Sequence, residues 1–135
     1  MNMTTFDFED GNGPVPAHQH PNGGGWVAET AFVGPDALVY DNARVYGNAQ
    51  VYDNAGVYDN ARVYGNAQVY GNAQVYGDAR VYGNAKVYDN ARVYGNARVF
   101  GIAQVYGDAW VYGDENNEDI FIEMKGKRYK LVEVV

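Results

Sequence analysis

At 135 residues the chain holds one domain's worth of structure, and large aliphatics other than Val are too few for an ordinary layered core. The absence of Cys excludes disulfides and thiolate metal sites, and a formal net charge of −7 excludes a generic nucleic-acid binder, which would be basic. No apolar run approaches the ~20 residues of a membrane helix, and the first 25 residues lack a secretory signal's basic start and apolar stretch, so a soluble, cytoplasmic protein is expected.

Residues 1–26 read as a lead-in and cap. Asp7, Glu9 and Asp10 make the start acidic, and Pro14, Pro16, Pro21 and three consecutive glycines, Gly23 to Gly25, make it first stiff and then flexible. Those glycines lack the strand and helix context of a phosphate loop. His18 and His20 are the two histidines of the chain. A His-x-His pair on a strand puts both rings on one side and makes a partial zinc site, with Asp7, Glu9, Asp10 or a neighbouring chain as source of a third ligand. The competing reading is a turn-rich cap that closes the structure together with Trp26, with no cofactor.

Residues 27–116 are a repeat. Fifteen hexads begin at Val27 and recur to Val111, with Val in every first position and Ala in the fifth position of the first fourteen; the fifteenth has Glu115 there. The unit is V-Y-[GD]-[ND]-A-x. Its four residues A-x-V-Y alternate in and out as a half-buried strand does, and the Gly, Asp and Asn that follow tolerate a tight corner. An identical bend after every strand suits a coil that always turns the same way, and three strands close a triangle. Five coils at ~4.8 Å per strand give a prism about 24 Å long, with Val and Ala inside.

Wrapped at eighteen residues per coil, the outward positions fall into three faces. The first carries Trp26, Arg44, Arg62, Arg80 and Arg98 before its Val, and Ala28, Tyr46, Tyr64, Tyr82 and Phe100 after it. Guanidinium groups ~4.8 Å apart repel, so partners are expected: the corner acids Asp41, Asp59 and Asp78 for three of them, and the neighbouring rings. The second reading of this face is a surface for anions bearing a planar ring, such as nucleotides, or for another subunit's acidic edge. Thirteen aromatic side chains in the ring columns predict a large exposed aromatic surface.

Residues 117–135 follow an acidic run, Asp114, Glu115, Glu118 and Asp119, and read as two strands around Lys125, Gly126 and Lys127, a hairpin that caps the last coil. Lys125, Lys127, Arg128 and Lys130 form a small basic patch there, read as a solvated turn.

The array resembles the hexapeptide-repeat proteins, which build a left-handed parallel β-helix; it departs from them by placing Tyr or Phe where the family commonly has a small residue. The whole layout is similar to members encoded by bacteriophages and mobile elements. The resemblance implies an all-β, triangular β-helix and parallel packing of three subunits. It also brings trimeric acyltransferases with a catalytic His and gamma-type carbonic anhydrases with zinc held by three His across an interface. No hexad of this chain contains His and no loop interrupts the coils, so those residues do not carry over to His18 or His20. The expectation is a non-enzymatic, self-associating scaffold or binding protein, a homotrimer, acting on a protein partner or itself through Arg44, Arg62, Arg80, Arg98, Tyr46, Tyr64 and Tyr82. Sequestration of a small anionic aromatic ligand between subunits is the alternative, and an acyltransferase-like or zinc-dependent enzyme the third.

Overall fold

The computed structural model describes residues 4–113, 120–124 and 127–131. The acidic run after Gly113 and the turn residues Lys125 and Gly126 lie outside them. Two strands, β1 (Thr5–Asp7) and β2 (Pro14–Gln19), precede the coils. The first coil is β3 (Trp26–Ala28), β4 (Phe32–Val33) and β5 (Leu38–Val39), and the second β6 (Arg44–Val45), β7 (Gln50–Val51) and β8 (Gly56–Val57). The third is β9 (Arg62–Val63), β10 (Gln68–Val69) and β11 (Gln74–Val75), and the fourth β12 (Arg80–Val81), β13 (Lys86–Val87) and β14 (Arg92–Gly95). The fifth is β15 (Arg98–Val99), β16 (Gln104–Val105) and β17 (Trp110–Gly113), followed by β18 (Ile120–Met124) and β19 (Lys127–Leu131).

Every third strand joins the same sheet, in parallel and in register. The order is β1-β2-β3-β6-β9-β12-β15 on the first face, β4-β7-β10-β13-β16 on the second and β5-β8-β11-β14-β17-β18-β19 on the third. Arg44 sits opposite Arg62, Arg62 opposite Arg80 and Arg80 opposite Arg98. The three faces are therefore those read from the sequence, and the molecule is an all-β solenoid of stacked parallel coils.

The interior is what the hexad dictates. Every Val from Val39 to Val93 and every Ala from Ala43 to Ala97 is buried. A branched Val against a methyl fills the narrow triangle without leaving room for a larger side chain. Backbone groups pair along the axis, as in Arg62 N–H to Ala79 C=O at 3.0 Å and Tyr64 N–H to Val81 C=O at 3.0 Å, so each coil is a template for the next.

The corners explain the choice of Gly or Asp after the ring residue. From Asp41 to Gly107 that position is left-handed: φ is 66° at Gly71 and 57° at Asp41, Asp53 and Asp59. Gly enters this region freely, while Asp gains a local acceptor there. Asp53, Asp59 and Asp89 each accept the amide of the residue one coil on, Gly71, Gly77 and Gly107, at 3.1–3.2 Å. Beside them the Asn side chains form ladders: Asn42 donates to Asn60, Asn60 to Asp78, and Asn72 to Asn90, all at 3.2 Å.

The ends are closed unequally. At the start, β2 runs antiparallel to β3 and β1 antiparallel to β2, which caps the first face. At the other end β18 runs antiparallel to β17 and β19 to β18, the expected hairpin, which caps the third face. Among the described residues, β15, β16, β4 and β5 have no strand beyond them, and at β5 the lead-in meets the edge, with Gly25 N–H donating to the Val39 carbonyl at 2.7 Å.

Candidate functional site

The four arginines of the first face come together as one column, but their surroundings differ. Arg44 is half-buried, with Glu9 Oε1 at 3.7 Å from Nη1 and the Phe6 ring centroid 5.1 Å from the guanidinium carbon. Arg62 is half-buried, and its guanidinium lies close enough to the Tyr46 hydroxyl to lower its pKa against the effect of burial. Arg80 and Arg98 are exposed.

The corner acids do not pair with these arginines. Among the described residues the ion pairs are His18 with Glu29 and Arg44 with Glu9. The expectation failed because Asp59, in its left-handed corner, turns along the prism axis to the next coil's amide, while Asp78 takes the Asn60 amide. Asp41, Asn42, Asp59, Asn60, Gly77 and Asp78 line a shallow acidic cleft at the corner beside the Arg face.

Each arginine that found a partner reached along its own face instead. The same diagonal links recur elsewhere: Tyr58 Oη donates to Gln74 Oε1 at 3.0 Å, and Tyr88 Oη to Gln104 Oε1 at 3.3 Å. In all three pairs the hydroxyl meets the side chain sixteen residues on, which is the x position of the next coil. Tyr94 contacts Trp110 by the same step, edge to face at 6.3 Å.

The ring columns are stacks rather than an open aromatic surface. Successive rings lie almost parallel at 4.8–5.1 Å in the middle coils, as in Tyr46–Tyr64, Tyr52–Tyr70 and Tyr70–Tyr88. Each such pair contributes about 0.5–1.5 kcal/mol beyond area burial, and most rings show solvent only an edge. The exposed rings of the columns are the end rings Phe100, at 50%, and Tyr106, at 55%. Burial among neighbouring rings, with Tyr76 and Tyr40 above and below, pushes the Tyr58 hydroxyl up to about 12. Tyr46 is also raised by burial, against the lowering contact from Arg62.

The lead-in supplies what the repeat lacks. Ala28 leaves the first-face column without a ring in the first coil, and Phe8 fills the gap, 1% exposed and stacked on Tyr46 at 4.8 Å. Phe6 stacks on Trp26 at 4.5 Å. The signal for this was in the sequence: a column short of one ring and a Phe in the segment before it. The lead-in has no period, so nothing indicated which face it would meet.

The two histidines part company. Strand β2 ends at Gln19, so the alternation of a strand does not extend to His20. His18 is exposed, with Nδ1 2.6 Å from Glu29 Oε1. His20 is 4% exposed, and its Nε2–H donates to the Ala37 carbonyl at 2.8 Å, which the Asn22 amide also reaches at 3.2 Å. Among the described residues no group of three His, Asp or Glu side chains is arranged to hold a metal ion. No helix is long and apolar enough to cross a membrane among those residues.

Residues 37–53, 49–65, 55–71, 73–89 and 91–101 match the family model described as the YdcK Beta solenoid repeat. Comparison with curated proteins and with solved structures gives no match. Register, stacked coils and family model agree: the chain is a repeat β-solenoid protein, similar to the YdcK beta solenoid repeat across residues 37–101.

Proposed function

We propose that this chain is a non-enzymatic, self-associating scaffold that packs with two further copies through the lower part of its first face, around Arg80 and Tyr82. The observation that carries this reading is the contrast within one column. Arg44 and Arg62 are engaged by Glu9 and Tyr46, whereas Arg80 and Arg98 are exposed beside a ring stack and, among the described residues, without an ion pair. Flat sheet faces with rigid ring edges lose little conformational entropy on packing, and the exposed Arg80 guanidinium suits an acidic edge of a neighbouring subunit.

Sedimentation equilibrium tests it. The wild type is expected as a trimer at micromolar concentration, and Arg80→Glu, which reverses one charge on the contact face, as a folded monomer with an unchanged far-UV circular dichroism spectrum and a melting temperature that no longer depends on concentration. A monomeric wild type removes the proposal. The same two arginines suit a small anionic aromatic ligand held between subunits; thermal shift with a nucleotide panel separates this, since a ligand-dependent rise abolished by Arg80→Glu would favour it.

A further inference from the structure

Among the described residues, the last coil leaves two adjacent strand edges, β15 and β16, with unpaired amide donors. In the preceding coils the amides of the x, ring and corner positions donate one coil onward, as in Arg80 to Ala97, Tyr82 to Val99, Asn84 to Gly101, Lys86 to Ala103 and Tyr88 to Val105, at 2.8–3.0 Å. The corresponding amides of Arg98, Phe100, Ile102, Gln104 and Tyr106 stand at the edges of β15 and β16, where among the described residues no strand follows. The side chains around these edges break the repeat. Ile102 stands in a corner column whose other members are Thr30, Asn48, Asn66 and Asn84, and it is 86% exposed. Ala103 is exposed, unlike Ala37, Ala43 and every other inward alanine up to Ala109. The end rings Phe100 and Tyr106 flank it.

We propose that this end binds an extended acidic segment of a partner polypeptide that carries an aromatic residue, added as a strand along β15 with its ring on Phe100 and its carboxylate on Arg98. Three features select that occupant. First, the molecule closes its other two finished ends in the same manner: an antiparallel strand plus a ring on the last ring of the column, Phe8 on Tyr46 at the start and Phe121 on Tyr112, 5.7 Å apart, at the other end. Second, the cap of the first face adds a carboxylate, Glu9, on that column's first arginine, and Arg98 is the exposed last arginine of the same column. Among the described residues, Asp108 and Asp89 stand at the corner past β16, Asp89 accepting the Gly107 amide at 3.2 Å, so the charge favours the β15 side. Third, β18 and β19 continue the third face two strands past the last coil, a wall of about 10 Å at ~4.8 Å per strand. A blunt prism end of a second copy meets this wall before it reaches β15 and β16, whereas a single extended segment passes beside it. Unpaired edges and flanking apolar side chains are the elements of strand addition.

The test uses the full chain and a fluorescent peptide with the sequence of residues 4–13, TTFDFEDGNG, which has the required acids and rings. Two substitutions use the repeat's own residues and so leave the fold intact: Ile102→Asn and Arg98→Gln. Saturable binding is expected, weakened about tenfold by either change through lost apolar burial or a lost charged contact, and abolished when both Phe of the peptide become Ala. Absent binding, binding indifferent to both substitutions, or equal binding of the Ala peptide overturns the proposal. Self-association of the chain lost specifically in Ile102→Asn also overturns it, by placing a second copy at this end.

Discussion

Asp53 gives the sharpest test of why the corners alternate between Gly and Asp. Its backbone is left-handed at φ 57°, and its Oδ2 accepts the Gly71 amide of the next coil at 3.2 Å. Asp53→Ala keeps the β-carbon in that conformation, which costs roughly 1–2 kcal/mol for a residue without a local acceptor, part of which Asp already bears. It also removes a hydrogen bond of about 0.5–1.5 kcal/mol. The sum is about 2 kcal/mol. Asp53→Gly loses the same bond but relieves the backbone, leaving about 1 kcal/mol, mostly the extra chain entropy of Gly. Asp53→Asn retains an acceptor and the left-handed tolerance and should fall within ~0.5 kcal/mol of wild type. The expected order of stability is Asp, Asn, Gly, Ala, measured as urea midpoints followed by far-UV circular dichroism. An Ala variant as stable as the Gly variant would refute the corner reasoning, because size and hydrophobicity alone favour Ala over Gly.

Further outcomes follow from the columns and the lead-in. Tyr70 lies between Tyr52 at 4.9 Å and Tyr88 at 5.1 Å, so Tyr70→Leu should destabilise by about 1–3 kcal/mol, two stacks' worth, in the same denaturation assay. Because Tyr58 is raised to about 12, and Tyr40, Tyr52 and Tyr94 in the same direction, the folded chain holds phenolic protons that the unfolded chain releases near pH ~10. Stability is therefore full below about pH 10 and falls as pH rises from there toward 12, which melting temperatures across pH 8–11.5 would show as a late, steepening decline. Phe8→Ala removes a buried ring and should release the lead-in, at a cost of about 3 kcal/mol, seen as faster proteolysis before Pro14 with the coils intact.

The coils were legible because Val, Ala and the corner residues each answer a local constraint that recurs at one spacing. Once three hexads close a triangle, the facing of Arg44, Arg62, Arg80 and Arg98 follows from arithmetic, and the parallel register confirms it. Partners within that frame were less legible. Sequence distance made Asp59 a natural neighbour for Arg62, yet the left-handed backbone turns the carboxylate along the axis, to Gly77. Arg62 instead reaches Tyr46, sixteen residues back, a step visible only when the coil is wound. His20 was out of reach for a different reason. Its partner is the Ala37 carbonyl, and no pattern in an aperiodic segment announces a bond to a backbone group.

A stack of identical coils has no intrinsic stopping point, since each edge is a template for one more coil. Two devices in the sequence end the growth. In the sequence, Glu115 stands at the hexad position that holds Ala in the fourteen earlier hexads, and an unpartnered carboxylate turned inward in a further coil would cost far more than the strand could return. Hairpins then seal one face at each end. Because the first and third faces are each sealed at opposite ends, the unsealed edges β15 and β16 meet at a single corner, and the residue at that corner is Ile102 where the repeat has Asn. Ile102 is 86% exposed where these two open edges meet, so it is the apolar contact that the proposed partner strand would cover, and covering it is what Ile102→Asn tests.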